Sequence, residues 1–141
     1  MVVRKTVEDE IAPAAEDLGI GLVTWSPLRS GLLSGKHNDG VPKGTRLELK
    51  DYQWLRGILN ESDLEKARRL SGLASETGIS LPQLAIAWLP RLPQVSSVIS
   101  GATRVSQVQE NLGAVEVLSR LTPEVLERIE SILGAKTEIR E

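Results

Sequence analysis

The chain contains no cysteine and no phenylalanine, and its only aromatic residues are three tryptophans and one tyrosine. Without cysteine there is no disulfide and no thiolate metal site, which fits a cytoplasmic protein. With so few aromatics, Leu, Ile, Val and Ala must fill the core. No one sign of charge dominates: the net charge is −2, so no basic field argues for nucleic acid or an anionic membrane. No apolar run approaches the roughly 20 residues of a membrane span. Met1-Val2-Val3-Arg4-Lys5-Thr6 lacks the apolar core of a signal peptide. The one histidine, His37, lies in a His-Asn-Asp-Gly turn and is expected at the surface. No Ser-His-Asp set can be assembled around it, and no residues have metal-ligand spacing. What remains is a chain of 141 residues, 40% hydrophobic and 26% charged, an ordinary globular composition with enough length for one core.

Periodicity divides the chain into helices and two short strands. Thr6 is placed to cap a first helix with Glu8, Asp9 and Glu10 in its first turn. Val7, Ile11, Ala14, Ala15 and Leu18 form its apolar stripe, Pro13 should kink it and Gly19 end it. Gly21–Trp25 reads as an apolar strand. Residues 34–60 show no clear element, and a loop of that length is usually functional. Ser62 and Glu65 are spaced as a capping box for a helix with Leu64, Ala67, Leu70, Leu73 and Ala74 on one side, closed by Gly78. Ser80 and Gln83 form a second box, for a helix through Leu84, Ala87 and Trp88 that Pro90 and Pro93 stop. Trp88 reads as packing. Val95–Ile99 is a strand and a helix runs from about Arg104 to Ala114. Thr122-Pro123-Glu124 starts a last helix, which carries Val125, Leu126, Ile129, Ile132 and Leu133 and ends at Gly134. Short apolar strands alternating with helices indicate an α/β fold with parallel strands and helical crossovers.

Both strands end in small and polar residues. After the first come Ser26-Pro27-Leu28-Arg29-Ser30-Gly31; after the second come Ser100-Gly101-Ala102-Thr103. A strand followed by a Gly-rich loop can present backbone N–H groups to a phosphate, or it can simply be a tight turn. Two such ends suggest one dinucleotide site built from both. Thr103, Gln107, Glu110 and Asn111 share one helical face. Their amides and carboxylate can read a base edge or form a solvated helix surface. Lys36 and Arg46 are candidates for a cationic clamp, an Arg fork suiting a phosphate bidentately; the alternative is two solvated loop cations.

These same residues carry a family resemblance. Trp25-Ser26-Pro27-Leu28 with Gly31-Leu32-Leu33-Ser34-Gly35-Lys36 resembles the segment after the seventh barrel strand of aldo-keto reductases. Gly101-Ala102-Thr103, Gln107 and Glu110-Asn111 resemble the adenine-side motif after the eighth. Asp51-Tyr52-Gln53-Trp54-Leu55 and Leu81-Pro82-Gln83-Leu84-Ala85-Ile86-Ala87-Trp88 are similar to the branch that includes the potassium-channel β subunits. The resemblance runs from about Arg4 to Gly134. It implies one domain over 1–141, the C-terminal part of a (β/α)8 barrel with about two parallel strands plus helices, incomplete because such a barrel takes about 250 residues.

The resemblance also implies function. NADP(H) would be held by Trp25, Ser26, Pro27, Leu28, Ser30, Lys36, Arg46, Gly101, Thr103, Gln107, Glu110 and Asn111. Lys36 and Arg46 would take the adenosine 2′-phosphate, with the helix start at Arg104 nearby. Trp25 would face the nicotinamide or serve as a lip residue; Tyr52 and Trp54 would cover the cofactor or pack the loop. In its complete form the protein would reduce aldehydes or ketones. The family's Asp, Tyr, Lys and His tetrad has no match here, since neither Tyr52 nor His37 stands in its motif, so no catalytic residue is assigned and the chain alone is expected to be inactive. The alternative is a non-catalytic interaction fragment resembling a channel β subunit. Self-association, or pairing with a complementing N-terminal half, is expected. Pro90 departs from the family pattern and should end its helix early; Ser100 departs from it without expected consequence.

Overall fold

A computed structural model describes residues 1–37 and 60–134. Arg46, Tyr52 and Trp54 lie outside the described residues. Two strands, β1 (Leu22–Trp25) and β2 (Val95–Ile99), form a parallel two-stranded sheet. Leu22 is paired with Val95, Val23 with Ser97, Thr24 with Val98 and Trp25 with Ile99, with one irregularity after Leu22. Parallel strands need a crossover, and the described residues between them include two helices, Glu61–Glu76 and Leu81–Ala87.

The first helical segment is a π-turn, Val7–Ile11, leading into α1 (Ala12–Asp17). Pro13 has no N–H to give, and the backbone widens just before it: the N–H of Ala12 reaches back five residues to the Val7 carbonyl. Thr6 does not cap this segment. It is already helical, and its side chain makes no capping bond. The apolar stripe is also corrected. Ala12 and Ala15 are buried, whereas Val7, Ile11 and Leu18 are exposed. A shallow apolar groove of about 330 Å³ runs past Ile11, Leu18, Ile20 and Leu22. Gly19 ends the helix in the left-handed region, donating to the Glu16 carbonyl while Ile20 donates to that of Ala15, the paired bonds of a Schellman close.

Helix α2 (Glu61–Glu76) begins two residues earlier than the Ser62/Glu65 box implies. Its cap is Asn60, whose side chain accepts from the Asp63 N–H at 2.8 Å and donates to the Asp63 carboxylate at 2.9 Å. Both motifs offer a short polar side chain three residues ahead of an acidic one, and Asn60 prevails. The buried stripe is Ala67, Leu70, Leu73 and Ala74. Helix α3 (Leu81–Ala87) has the reciprocal Ser80/Gln83 box, with bonds of 3.3 and 3.1 Å. It stops at Trp88 and passes into a 3₁₀ turn, Leu89–Arg91, so Pro90 does end it early. Helix α4 (Val105–Leu112) follows β2, and α5 (Pro123–Leu133) starts at Thr122 with Pro at its first position and ends at Gly134.

The core lies in the helical layer. Leu32, Leu33, Leu70, Leu73, Leu84, Trp88 and Ile129 are fully buried in one cluster. Trp88 is flanked by charge: the Arg91 guanidinium lies 3.2 Å from the ring centroid and that of Arg4 5.8 Å from it, a cation–π arrangement. Glu8 pairs with both arginines, and Arg4 also reaches Glu130 at 2.6 Å and the Gly134 carbonyl at 3.3 Å. Burial pulls the Arg91 guanidinium below its usual value, and Glu8 opposes that shift. No helix among the described residues is long and apolar enough to cross a membrane.

Candidate functional site

The pairing of Trp25 with Ile99 brings both candidate loops out of the same end of the sheet. The first loop is the most strained backbone among the described residues. Ser26, Arg29 and Ser30 have φ of 53°, 46° and 54°, and they are the non-glycine residues there with positive φ. Such conformations cost of order 1–3 kcal/mol each and persist where the surroundings impose them. Here the surroundings are identifiable. Pro27 is buried, Leu32 and Leu33 are locked in the helical core, and Arg29 lies 3.7 Å from the buried Asp63 carboxylate at the start of α2.

The loop closes largely on itself. The N–H groups of Arg29, Gly31 and Leu33 bond to the carbonyls of Ser26 and Leu28, and that of Ser30 reaches Ser26 Oγ at 3.4 Å. Ser34 Oγ donates to the Gly31 carbonyl at 2.6 Å. Several N–H groups assigned to a phosphate from the sequence therefore have partners inside the loop. Lys36 folds back over Gly31, where a Cβ would lie 2.8 Å from Lys36 Cε and 2.9 Å from Nζ; the tip of that side chain can shift, and it is the φ of 101° that calls for glycine. The sequence placed His37 at the surface; it is 1% exposed. Its ring lies beneath the same glycine, with Nε2 3.6 Å from the place of that Cβ, and the lysine rather than the histidine faces solvent.

The second loop leaves β2 at Ser100. Gly101, Thr103 and Arg104 are exposed, and Arg104 is the extended residue before α4 with no side-chain capping bond. Gln107 Oε1 accepts from the Thr103 N–H at 2.8 Å and from Thr103 Oγ1 at 3.1 Å. Asn111 is buried and donates from Nδ2 to Ser100 Oγ at 2.8 Å. Glu110 is half-buried beside it. Gln107, Glu110 and Asn111 lie on α4, whereas Thr103 precedes the helix; Asn111 is tied to the strand end through Ser100, and Gln107 to the loop through Thr103. Trp25, at the end of β1, is 80% exposed.

Sequence reasoning missed Ser100 and Arg29. Ser100 and Asn111 are eleven positions apart, with no local period to link them. Arg29 owes its place to a left-handed turn that its residue type does not signal. No group of three potential metal ligands occurs among the described residues.

A sequence profile described as the aldo/keto reductase family matches residues 1–134. A "Probable voltage-gated potassium channel subunit beta" from Arabidopsis thaliana is 49% identical over 138 residues, covering 96% of this chain and 42% of that protein. A protein of the same description from Oryza sativa subsp. japonica is 46% identical over 136 residues, covering 94% and 41%. The chain spans about two-fifths of the length of the curated relatives it matches. It belongs to the aldo/keto reductase family.

Proposed function

We propose that residues 1–141 are the cofactor-binding, C-terminal part of an NADP(H)-dependent aldo-keto reductase, a cytoplasmic oxidoreductase acting on aldehydes or ketones in its complete form. The observation that carries the reading is the Trp25–Ile99 pairing, from which both polar loops leave one end of a parallel sheet. Open α/β sheets bind ligands at the carboxyl ends of their strands. Strained backbone at Ser26, Arg29 and Ser30 in the same place is a second support.

The residues fit a dinucleotide. Ser26, Pro27, Leu28 and Ser30 shape the wall for the pyrophosphate. Lys36, exposed and folded over Gly31, supplies a cation at that wall, and Arg46 joins it at the 2′-phosphate. Gly101, Thr103, Gln107, Glu110 and Asn111 take the adenosine side, and Trp25 stands bare at the strand end for the nicotinamide face. When bound, the dinucleotide supplies the hydride; this chain's residues bind and orient it. The remaining strands of a (β/α)8 barrel would cover the open sheet and carry the proton donor.

A fluorescence titration tests the assignment. NADPH should bind more tightly than NADH. Arg46→Ala should cost on the order of 1.5–3 kcal/mol in NADPH affinity, the scale of a hydrogen bond to a charged group, and barely touch NADH. Equal losses for the two would remove Arg46 from the 2′-phosphate. The second reading, a non-catalytic interaction module, is supported by the similarity to two plant proteins described as probable potassium channel β subunits. Turnover separates the two: NADPH oxidation with a simple aldehyde by a complex with a complementing N-terminal half supports the enzyme, and tight NADPH binding by that complex without oxidation supports the module.

A further inference from the structure

Asn111 is only 9% exposed, and a carboxamide buried to that degree is oriented by its hydrogen bonds. Its donor end is engaged, because Nδ2 bonds to Ser100 Oγ at 2.8 Å. Its Oδ1 makes no hydrogen bond with the described residues. One turn earlier on the same helix face the arrangement is reversed. Gln107 has its acceptor end engaged by Thr103, at 2.8 and 3.1 Å, and its Nε2 makes no hydrogen bond with the described residues. An amide held at one end shows the other. The pair therefore offers one acceptor, from Asn111, and one donor, from Gln107.

Adenine's outer edge is the complement, with an amine donor at N6 and an acceptor at N7, whereas guanine shows acceptors at both places. Resting on the adenine reading above, we infer that Ser100 is a positioning residue for base selection: its hydroxyl turns the Asn111 carboxamide so that Oδ1 meets the exocyclic amine of adenine. Gln107 is held partly by a backbone N–H and keeps that bond through any side-chain change at Thr103. Asn111 depends on the Ser100 side chain alone among the described residues. The residue that looked inconsequential in the sequence is the one that sets the amide's direction.

The full chain can be titrated with NADPH and with its hypoxanthine analogue, in which a carbonyl replaces the exocyclic amine. Wild-type protein should favour NADPH by about tenfold and Ser100→Ala by about twofold or less, the scale of one well-placed base contact. The analogue's affinity and the circular dichroism spectrum should not change. Ser100→Thr, which keeps the hydroxyl, should restore the preference, and Ser100→Cys, of similar size with a weaker acceptor, should fall between. Without ligand, the Asn111 side-chain amide protons should exchange slowly in wild type and Ser100→Thr, and quickly in Ser100→Ala. A preference that survives in Ser100→Ala, or equal losses for both dinucleotides, overturns the positioning role and leaves the adenine reading standing. Wild-type binding with no base preference, or no binding at all, overturns the adenine reading and this inference with it.

Discussion

The helical layer and the sheet of this chain have opposite characters. In the helical layer the large apolar side chains are sealed: Leu70, Leu73, Leu84, Trp88 and Ile129 are within 1% of full burial. In the sheet no strand residue is fully buried, and Val23, Trp25 and Ile99 are 59%, 80% and 58% exposed. Parallel sheets are normally covered on both faces, and this one leaves large apolar side chains open. The division also sorts the chemistry. The largely buried charges of Arg4, Glu8 and Arg91 brace the helices, while the strained turn and the oriented amides gather where the strands end. The buried core of this chain lies in its helices, and the residues proposed for recognition lie on and beyond its strands.

The sharpest way to break that contrast is at Trp88. Trp88→Ala should cost about 3–5 kcal/mol, as buried Trp truncations do, a large share of the 5–15 kcal/mol typical of a domain. Urea unfolding followed by far-UV circular dichroism should show the transition lost or moved to very low denaturant. A midpoint close to wild type would mean that the helical cluster does not carry the stability.

The next step down is Arg91. Arg91→Ala removes the cation stacked on Trp88 and leaves Glu8, 9% exposed, with one partner fewer. Breaking a buried pair from one side costs about 3–5 kcal/mol; Glu8 keeps Arg4 as a partner, which puts the loss at or below the lower end of that range. Arg128→Ala, which removes an exposed partner of Glu76, should cost at most about 1 kcal/mol. Comparable losses for the two in thermal melts would show that the Arg4–Glu8–Arg91 group is a surface feature.

Caps give a smaller and cleaner comparison. Asn60→Ala should cost about 1 kcal/mol, whereas Ser62→Ala should stay within about 0.5 kcal/mol, since only the first removes a capping bond. The reverse order would restore the start of α2 that the sequence suggested. That pair of residues also shows what a sequence can and cannot reveal. Local devices were legible where one candidate stood alone: Ser80 with Gln83, Thr122 with Pro123, and the strand Val95–Ile99. They misled where two caps competed within three residues. The stripe of Val7, Ile11 and Leu18 has helical spacing, but spacing does not say whether a partner is present to cover it, and here those side chains are exposed. The candidate site divides in the same way. The placing of Gln107, Glu110 and Asn111 on α4 follows from period, whereas Thr103 lies ahead of the helix and meets Gln107 through the loop. The burial of His37 and the tie between Ser100 and Asn111 depend on contacts that no local pattern encodes.

The smallest effect on stability should come from the sheet itself, and there it is the association that should change. Val23→Thr and Ile99→Thr keep β-branched side chains suited to a strand and replace apolar surface that is already more than half exposed. Exposed substitutions of this kind stay within about 0.5 kcal/mol, so melts of the double variant should overlay those of wild type. Each strand, however, has a partner on one side only among the described residues. An unpaired strand edge beside open apolar surface recruits other chains. Trp25, Val105, Leu112 and Val115 are further large apolar side chains left exposed. Sedimentation of the wild-type chain should therefore show concentration-dependent self-association, and the double variant should remain monomeric to higher concentration. A polypeptide supplying the remaining strands should suppress self-association of the wild type by covering the same face. If wild type and variant sediment alike, or if the variant unfolds more readily, the sheet contributes to the core, and the contrast between a sealed helical layer and an open contact surface fails.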